Sequence, residues 1–159
     1  MPQADADAEA RGVFAPLCAD HDVKRCLLRA FSISSASRAR QRALERLQRF
    51  VRMHDRAEHT TVYGALLANA RTRALAQQAI DEHHDLDAKL SALAEATSRG
   101  VEHAIQERLG AYRSLLTVHL LREEQELFPH AYRALGPERC RRIVRRFQDV
   151  RAAAGAFEI

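Results

Sequence analysis

His119-Leu-Leu-Arg-Glu-Glu-Gln-Glu-Leu-Phe-Pro129 closes a long helical pattern in this chain. The positions Ile105, Leu109, Tyr112, Leu116, His119, Glu123 and Leu127 recur at intervals of three and four, the signature of one α-helical face that looks inward. An imidazole and a carboxylate therefore share a buried seam, one turn apart. Burying such groups costs on the order of several kcal/mol unless something compensates them, and a bound metal is a common compensation. The pair occurs again as His54-Asp-Arg-Ala-Glu58, on a seam of Leu44, Leu47, Val51, His54, Glu58 and Val62. That repetition points to a metal site inside a bundle.

Working outward, a first helix carries Leu17, Asp20-His21, Leu28 and Phe31, with Pro16 tolerated in its first turn. It stops at the serine-rich Ser32-Ile-Ser-Ser-Ala-Ser37, which offers capping chemistry for the next helix. The second helix is expected from about Arg38 to Ala70, with a disturbance at Gly64. The third begins near Thr72, shows Ala76, Ala79, Ile80, His83, Leu86, Leu90 and Leu93, and ends at Ser98-Arg-Gly100. The fourth runs to about Phe128, where Pro129 should interrupt the hydrogen-bond ladder. After Gly136-Pro137 a short fifth helix carries Ile143, Phe147 and Val150, with Arg139, Arg141, Arg142, Arg145 and Arg146 on its solvated outer face.

No stretch alternates like a strand, and the chain holds only four prolines and six glycines, so the expected class is all-α. Short connections imply an up-down-up-down four-helix bundle with an additional C-terminal helix. The expected division is a frayed tail over residues 1–12, a bundle over 13–135, and a C-terminal helix and tail over 136–159. At 159 residues the chain can build a core without staples.

The net charge of +4 comes almost wholly from arginine scattered among acids, Lys24 and Lys89 being the only lysines. No recognition motif accompanies it, so no nucleic-acid partner is expected. Three cysteines (Cys18, Cys26 and Cys140) are too few and too badly spaced for a disulfide framework or a zinc knuckle, and they fit a reducing compartment. The acidic N-terminus does not read as a signal peptide, and no segment is apolar enough to span a bilayer. A cytoplasmic location follows as an expectation.

Each of the four long helices places one histidine on its inner seam: His21, His54, His83 and His119. The second and fourth add Glu58 and Glu123. Four imidazoles and two carboxylates can thus converge on one interior point. His83 is preferred to His84 by phase, because its neighbours at helical spacing include Ala79, Ile80, Leu86 and Leu90, whereas those of His84 are mostly polar. His59 and His130 are expected to be exposed and His103 to lie off the seam. Donors without thiolate suit iron first and manganese second; structural zinc sites prefer cysteine.

Taken in order, Asp20-His21, His54-x-x-x-Glu58, Glu82-His83 and His119-x-x-x-Glu123-Glu124 followed by Leu127-Phe128-Pro129 resembles the hemerythrin-like family, also called the HHE cation-binding domain. The resemblance spans roughly residues 13–132. It implies a non-haem centre of two iron ions, joined by oxide or hydroxide, with Glu58 and Glu123 bridging. It implies a small diatomic or peroxide ligand (dioxygen, nitric oxide or peroxide, bound or sensed) or a role in iron handling. A di-iron redox enzyme is the alternative. Asp20, Glu82 and Glu124 adjoin the candidate ligands and could orient imidazole N–H groups, although each also reads as a surface acid. The chain departs from the oxygen carriers by offering His83-x-x-x-Asp87 in place of a second histidine on the third helix. That weakens a reversible carrier role and shifts weight to sensing, stress response or iron handling. Asp55 matches a position that binds metal in some relatives. Tyr63 and Tyr112 are candidates for the pocket wall, with plain core packing as the alternative.

Overall fold

The computed structural model describes residues 3–154, with side chains from residue 5 onward, and among these every element is helical. Six helices result. α1 is Gln3–Val13 and α2 is Ala15–Ile33. α3 begins as Ser37–Glu58, passes through a π-helical turn at His59–Tyr63 and closes with Gly64–Leu67. α4 is Arg73–Arg99. α5 begins as Glu102–Arg122, passes through a second π turn at Glu123–Leu127 and continues as Phe128–Leu135. α6 is Pro137–Ala153. None of these helices is long and apolar enough to cross a membrane.

Several boundaries correct the sequence reading. Residues 3–12 are not a frayed tail. They belong to α1, where Ala10 is fully buried, the Tyr132 hydroxyl donates to Glu9 at 2.5 Å and Arg133 pairs with Asp7 at 2.6 Å. The serines do not cap α3, which starts behind Ala36 with no side-chain cap. Ser32 and Ser34 instead donate to the carbonyls of Arg29 and Ala30, closing α2. Pro129 does not end α5. A proline ring strikes the carbonyl four residues back, here Gln125 within the π turn, where the backbone has already departed from α geometry. Gly100 stops α4 at φ 67°, and its N–H donates to the carbonyls of Ala96 and Thr97. Only glycine takes that conformation without strain.

The core consists of two apolar clusters. One gathers Phe14, Leu17, Val62, Leu66, Ala79, Leu127, Phe128 and Phe147. The other gathers Leu27, Phe31, Leu44, Phe50, Leu86, Leu90, Leu109, Tyr112 and Leu116. Between Leu17 and Leu27 on α2 stand His21 and Lys24, and between Val51 and Val62 on α3 stand His54 and Glu58. His83 separates Ala79 from Leu86 on α4. His119 and Glu123 lie between Leu116 and Leu127 on α5. A polar layer therefore crosses the bundle between two apolar halves. Each large side chain in those halves contributes about 1.5–3 kcal/mol on burial, which holds the layer closed. α6 adds Cys140, Ile143, Val144 and Phe147 to the first cluster.

Candidate metal centre

All six residues singled out by the sequence are buried: His21, His54, Glu58 and His119 are 0 % exposed, Glu123 1 % and His83 4 %. They converge. Nε2 of His21 and Nε2 of His119 each lie 3.3 Å from Glu123 Oε2. Nε2 of His54 lies 3.2 Å and Nε2 of His83 3.6 Å from Glu58 Oε2. The Nε2 atoms of His83 and His119 are 2.9 Å apart. Two groups have spacing suited to a cation, His21–His54–Glu58 and His83–His119–Glu123, and each glutamate reaches a histidine of both.

Apart from the His83–His119 contact, proximity here is not mutual hydrogen bonding. His21 Nε2, His54 Nε2, both oxygens of Glu58 and Oε2 of Glu123 are buried without a hydrogen-bond partner. Five unsatisfied atoms would cost on the order of 5–15 kcal/mol, as much as the whole stability of a domain. They aim at shared space, as ligand atoms do. The donor set of imidazole and carboxylate fits a cation of the iron class.

The outer nitrogens explain why the inner ones are available. Nδ1–H of His21 donates to Glu124 at 2.8 Å, that of His54 to Asp20 at 3.1 Å and that of His119 to Glu82 at 2.9 Å. Each donation fixes the tautomer and leaves the Nε2 lone pair facing inward. Each carboxylate is itself matched by an arginine: Arg25 on Glu124 at 2.9 Å, Arg151 near Asp20 at 2.8 Å and Arg122 on Glu82. The acids do not serve their sequence neighbours. Asp20 holds His54 rather than His21, and Glu82 holds His119 rather than His83.

His83 is the exception. Its Nδ1 meets Nε2 of His59 at 2.9 Å, and the rings stack with centroids 5.0 Å apart. His59 is thus half-buried against the centre, a correction to its expected exposure. His130 is also half-buried, while His103 and His84 are exposed. The reason for His59 is the π turn that it opens. A cleft of about 330 Å³ lined by Asp55, Arg56, His59, His83, His84 and Asp87 connects this side to solvent. Burial, opposed by Asp55 and Glu58, lowers the His83 pKa to about 4, so its ring is neutral at physiological pH.

Two further groups join these residues: Lys24, which was not legible as a site residue, and Tyr63, a candidate for the pocket wall. Lys24 is buried and pairs with Asp55 at 2.8 Å. Burial alone would lower its pKa, but Asp55 and Glu58 outweigh this and hold the ammonium charged. Asp55 also has a place in a third cation-sized group with Glu58 and His83. Tyr63 donates its hydroxyl to Glu123 Oε1 and lies 3.3 Å from His83 Nε2. Five residues after Glu58, a regular α-helix at ~100° per residue would turn Tyr63 about 140° away; the wider i→i+5 turn brings it back. Tyr112 packs in the second apolar cluster instead.

For the protein groups alone, burial and the Glu123 charge push the Glu58 pKa up, but His54 and His83 outweigh them and it falls below its ordinary value. Glu123, opposed by burial and favoured by His119 and His21, falls well below. Both are carboxylates at neutral pH, as ligands must be.

Fold and donor set together define a helical protein with a built cation-binding layer. The family model described as the hemerythrin HHE cation binding domain matches residues 17–131, and the chain belongs to that family. Comparison with curated proteins and with solved structures finds no match.

Proposed function

We propose that this chain is a non-haem di-iron protein in which His21, His54, Glu58, His83, His119 and Glu123 hold two iron ions, Glu58 and Glu123 bridging them. The observation that carries this reading is the set of unpartnered, inward-facing ligand atoms. The reach of each glutamate to histidines of both groups supports the bridging role. Helices α2 and α4 run from the first apolar cluster to the second, and α3 and α5 run back, which supports an up-down-up-down bundle.

Bound iron would supply open coordination positions and reversible electron transfer. The protein's part is to orient the imidazoles by their outer nitrogens, to keep both glutamates ionised, and to exclude bulk water with the two apolar clusters. The cleft beside His59 gives access scaled to a small molecule. Dioxygen, nitric oxide or peroxide, bound or sensed, is the proposed ligand class, with handling of iron itself as a related role. The three free cysteines are compatible with a cytoplasmic site of action.

Tyr63 presents an O–H at the inner surface, and this favours redox turnover of peroxide or nitric oxide as the second reading. Elemental analysis after iron-replete expression tests the first claim: two irons per chain are expected, and one tight zinc with no iron would sink it. Stoichiometric ligand binding against sustained turnover by the iron-loaded protein separates the two readings.

A further inference from the structure

Of the three arginines that match the carboxylates behind the histidines, Arg25 and Arg122 lie within the matched family region. Arg151 does not. It belongs to α6, beyond residue 131 where the match ends. Its Nε lies 2.8 Å from Asp20 Oδ2, the same oxygen that accepts from Nδ1 of His54. Its guanidinium carbon stands 6.0 Å over the ring centroid of Phe50. One turn earlier, the fully buried Phe147 meets the His54 ring edge to face, with centroids 5.3 Å apart and planes at 73°. Helix α6 therefore acts on one candidate ligand twice, covering its ring and setting a positive charge against the carboxylate behind it.

Arg151 is the weak link of this device. It is 39 % exposed and sits two residues before the end of α6 at Ala153, where helix ends open most readily. When the last turn frays, Asp20 loses its counter-charge and His54 its fixed orientation. Cys140, Ile143 and Val144 would keep the rest of the helix docked.

We propose that Arg151 is a positioning residue for His54, so that docking of the last turns of α6 and loading of metal on the His21–His54 side form one linked equilibrium. The proposal rests on the metal reading above. Whatever metal binding gains from an ordered α6, an ordered α6 gains from bound metal, because coupling is reciprocal. The metal state is thereby reported at the protein surface, on α6.

The test uses the full chain with ferrous iron under anaerobic conditions. Amide hydrogen exchange over residues 147–153 is compared with and without iron, and iron affinity is measured by chelator competition. Loss of an outer partner of a metal-binding histidine costs roughly 10–100-fold in affinity; for Arg151→Ala about tenfold is expected, falling on one of the two irons. Iron should slow exchange in wild type by about the same factor, and Arg151→Ala should abolish that slowing. Arg151→Lys should restore part of both effects, and Arg145→Ala, on the exposed face of the same helix, should change neither. Full iron uptake with unchanged exchange in α6 would overturn the proposal alone. A wild-type chain that takes up no iron would overturn both the proposal and the metal reading. Should Arg151→Ala fail to fold, the wild-type exchange and the lysine variant still decide.

Discussion

His59 Nε2 lies 2.9 Å from His83 Nδ1, with the two rings stacked, so one imidazole orients another at a side of the centre that a cleft reaches. The other three histidines use carboxylates for this purpose. A neutral partner lends less basicity to the inner nitrogen than a carboxylate does, which makes His83 the softest-held candidate ligand of the four. His59→Phe keeps the stacking and removes the nitrogen. Metal affinity should fall about tenfold, measured by chelator competition. Unchanged affinity would mean that His83 is held by packing alone.

His83→Ala should lower metal content, whereas His84→Ala should leave it intact. His83 is buried among the ligand atoms and His84 faces solvent. Elemental analysis of the two purified variants decides. Loss in the His84 variant, with His83→Ala unaffected, would contradict the site.

Glu58→Gln and Glu123→Gln should each cost at least one iron, or leave two irons that are magnetically uncoupled. Each carboxylate lies against histidines of both cation-sized groups, so its loss affects both positions, while His54→Ala opens only one. Magnetic measurements on the loaded variants check this. Retention of two coupled irons with unchanged affinity in both Gln variants would refute bridging.

Lys24→Met should destabilise the metal-free chain by about 2–4 kcal/mol, the cost of breaking a buried ion pair reduced for the partial exposure of Asp55. The sign with pH follows from the shifts. Burial raises the Asp55 pKa, but Lys24 outweighs it and holds the folded value below the ordinary 3.8, so its contribution is present above that pH and lost as pH falls through the folded value. The Lys24 value is raised above 10.5, so its contribution is present below that pH and lost as pH rises through the folded value. The pair is therefore fully effective across neutral pH. Urea unfolding at a series of pH values should show the gap between variant and wild type closing in acid. A gap that persists unchanged at pH 2 would rule the pair out as its source.

The six central residues were legible because each interrupts an otherwise apolar seam at regular α-helical spacing, and a histidine or glutamate there must be compensated. The family pattern added their joint purpose. What escaped depends on events that helical arithmetic does not contain. His59 reaches the centre through a change of helical period, and so does Tyr63, which the sequence offered only as a candidate for the pocket wall. Lys24 reads as a surface cation until Asp55 arrives from another helix, since lysine is rarely buried without a partner. Which acid serves which histidine was also hidden: sequence adjacency suggested Asp20 for His21, and the packing of α2 on α3 gives it to His54. α1 was hidden by its composition, for among residues 5–12 Ala10 alone is fully buried.

The two π turns lie at the two glutamates: one follows Glu58, at His59–Tyr63, and the other begins on Glu123, at Glu123–Leu127. Each absorbs one residue more than an α-helical turn needs, while the helix beyond continues in its place. That gives the chain two positions where its length is negotiable. Removing a residue elsewhere in α3 would swing everything downstream by ~100° and carry the apolar seam off the core. Removing the exposed Thr60 should merely convert the wide turn into a regular one and leave Leu66 packed where it is. Tyr63, then four residues after Glu58, would stand only about 40° from that glutamate on a regular helix and so keep its place near Glu123 as well. A one-residue shortening at this point would therefore be absorbed by the bundle and its centre alike, leaving helicity by circular dichroism intact, where the same shortening elsewhere in α3 would not.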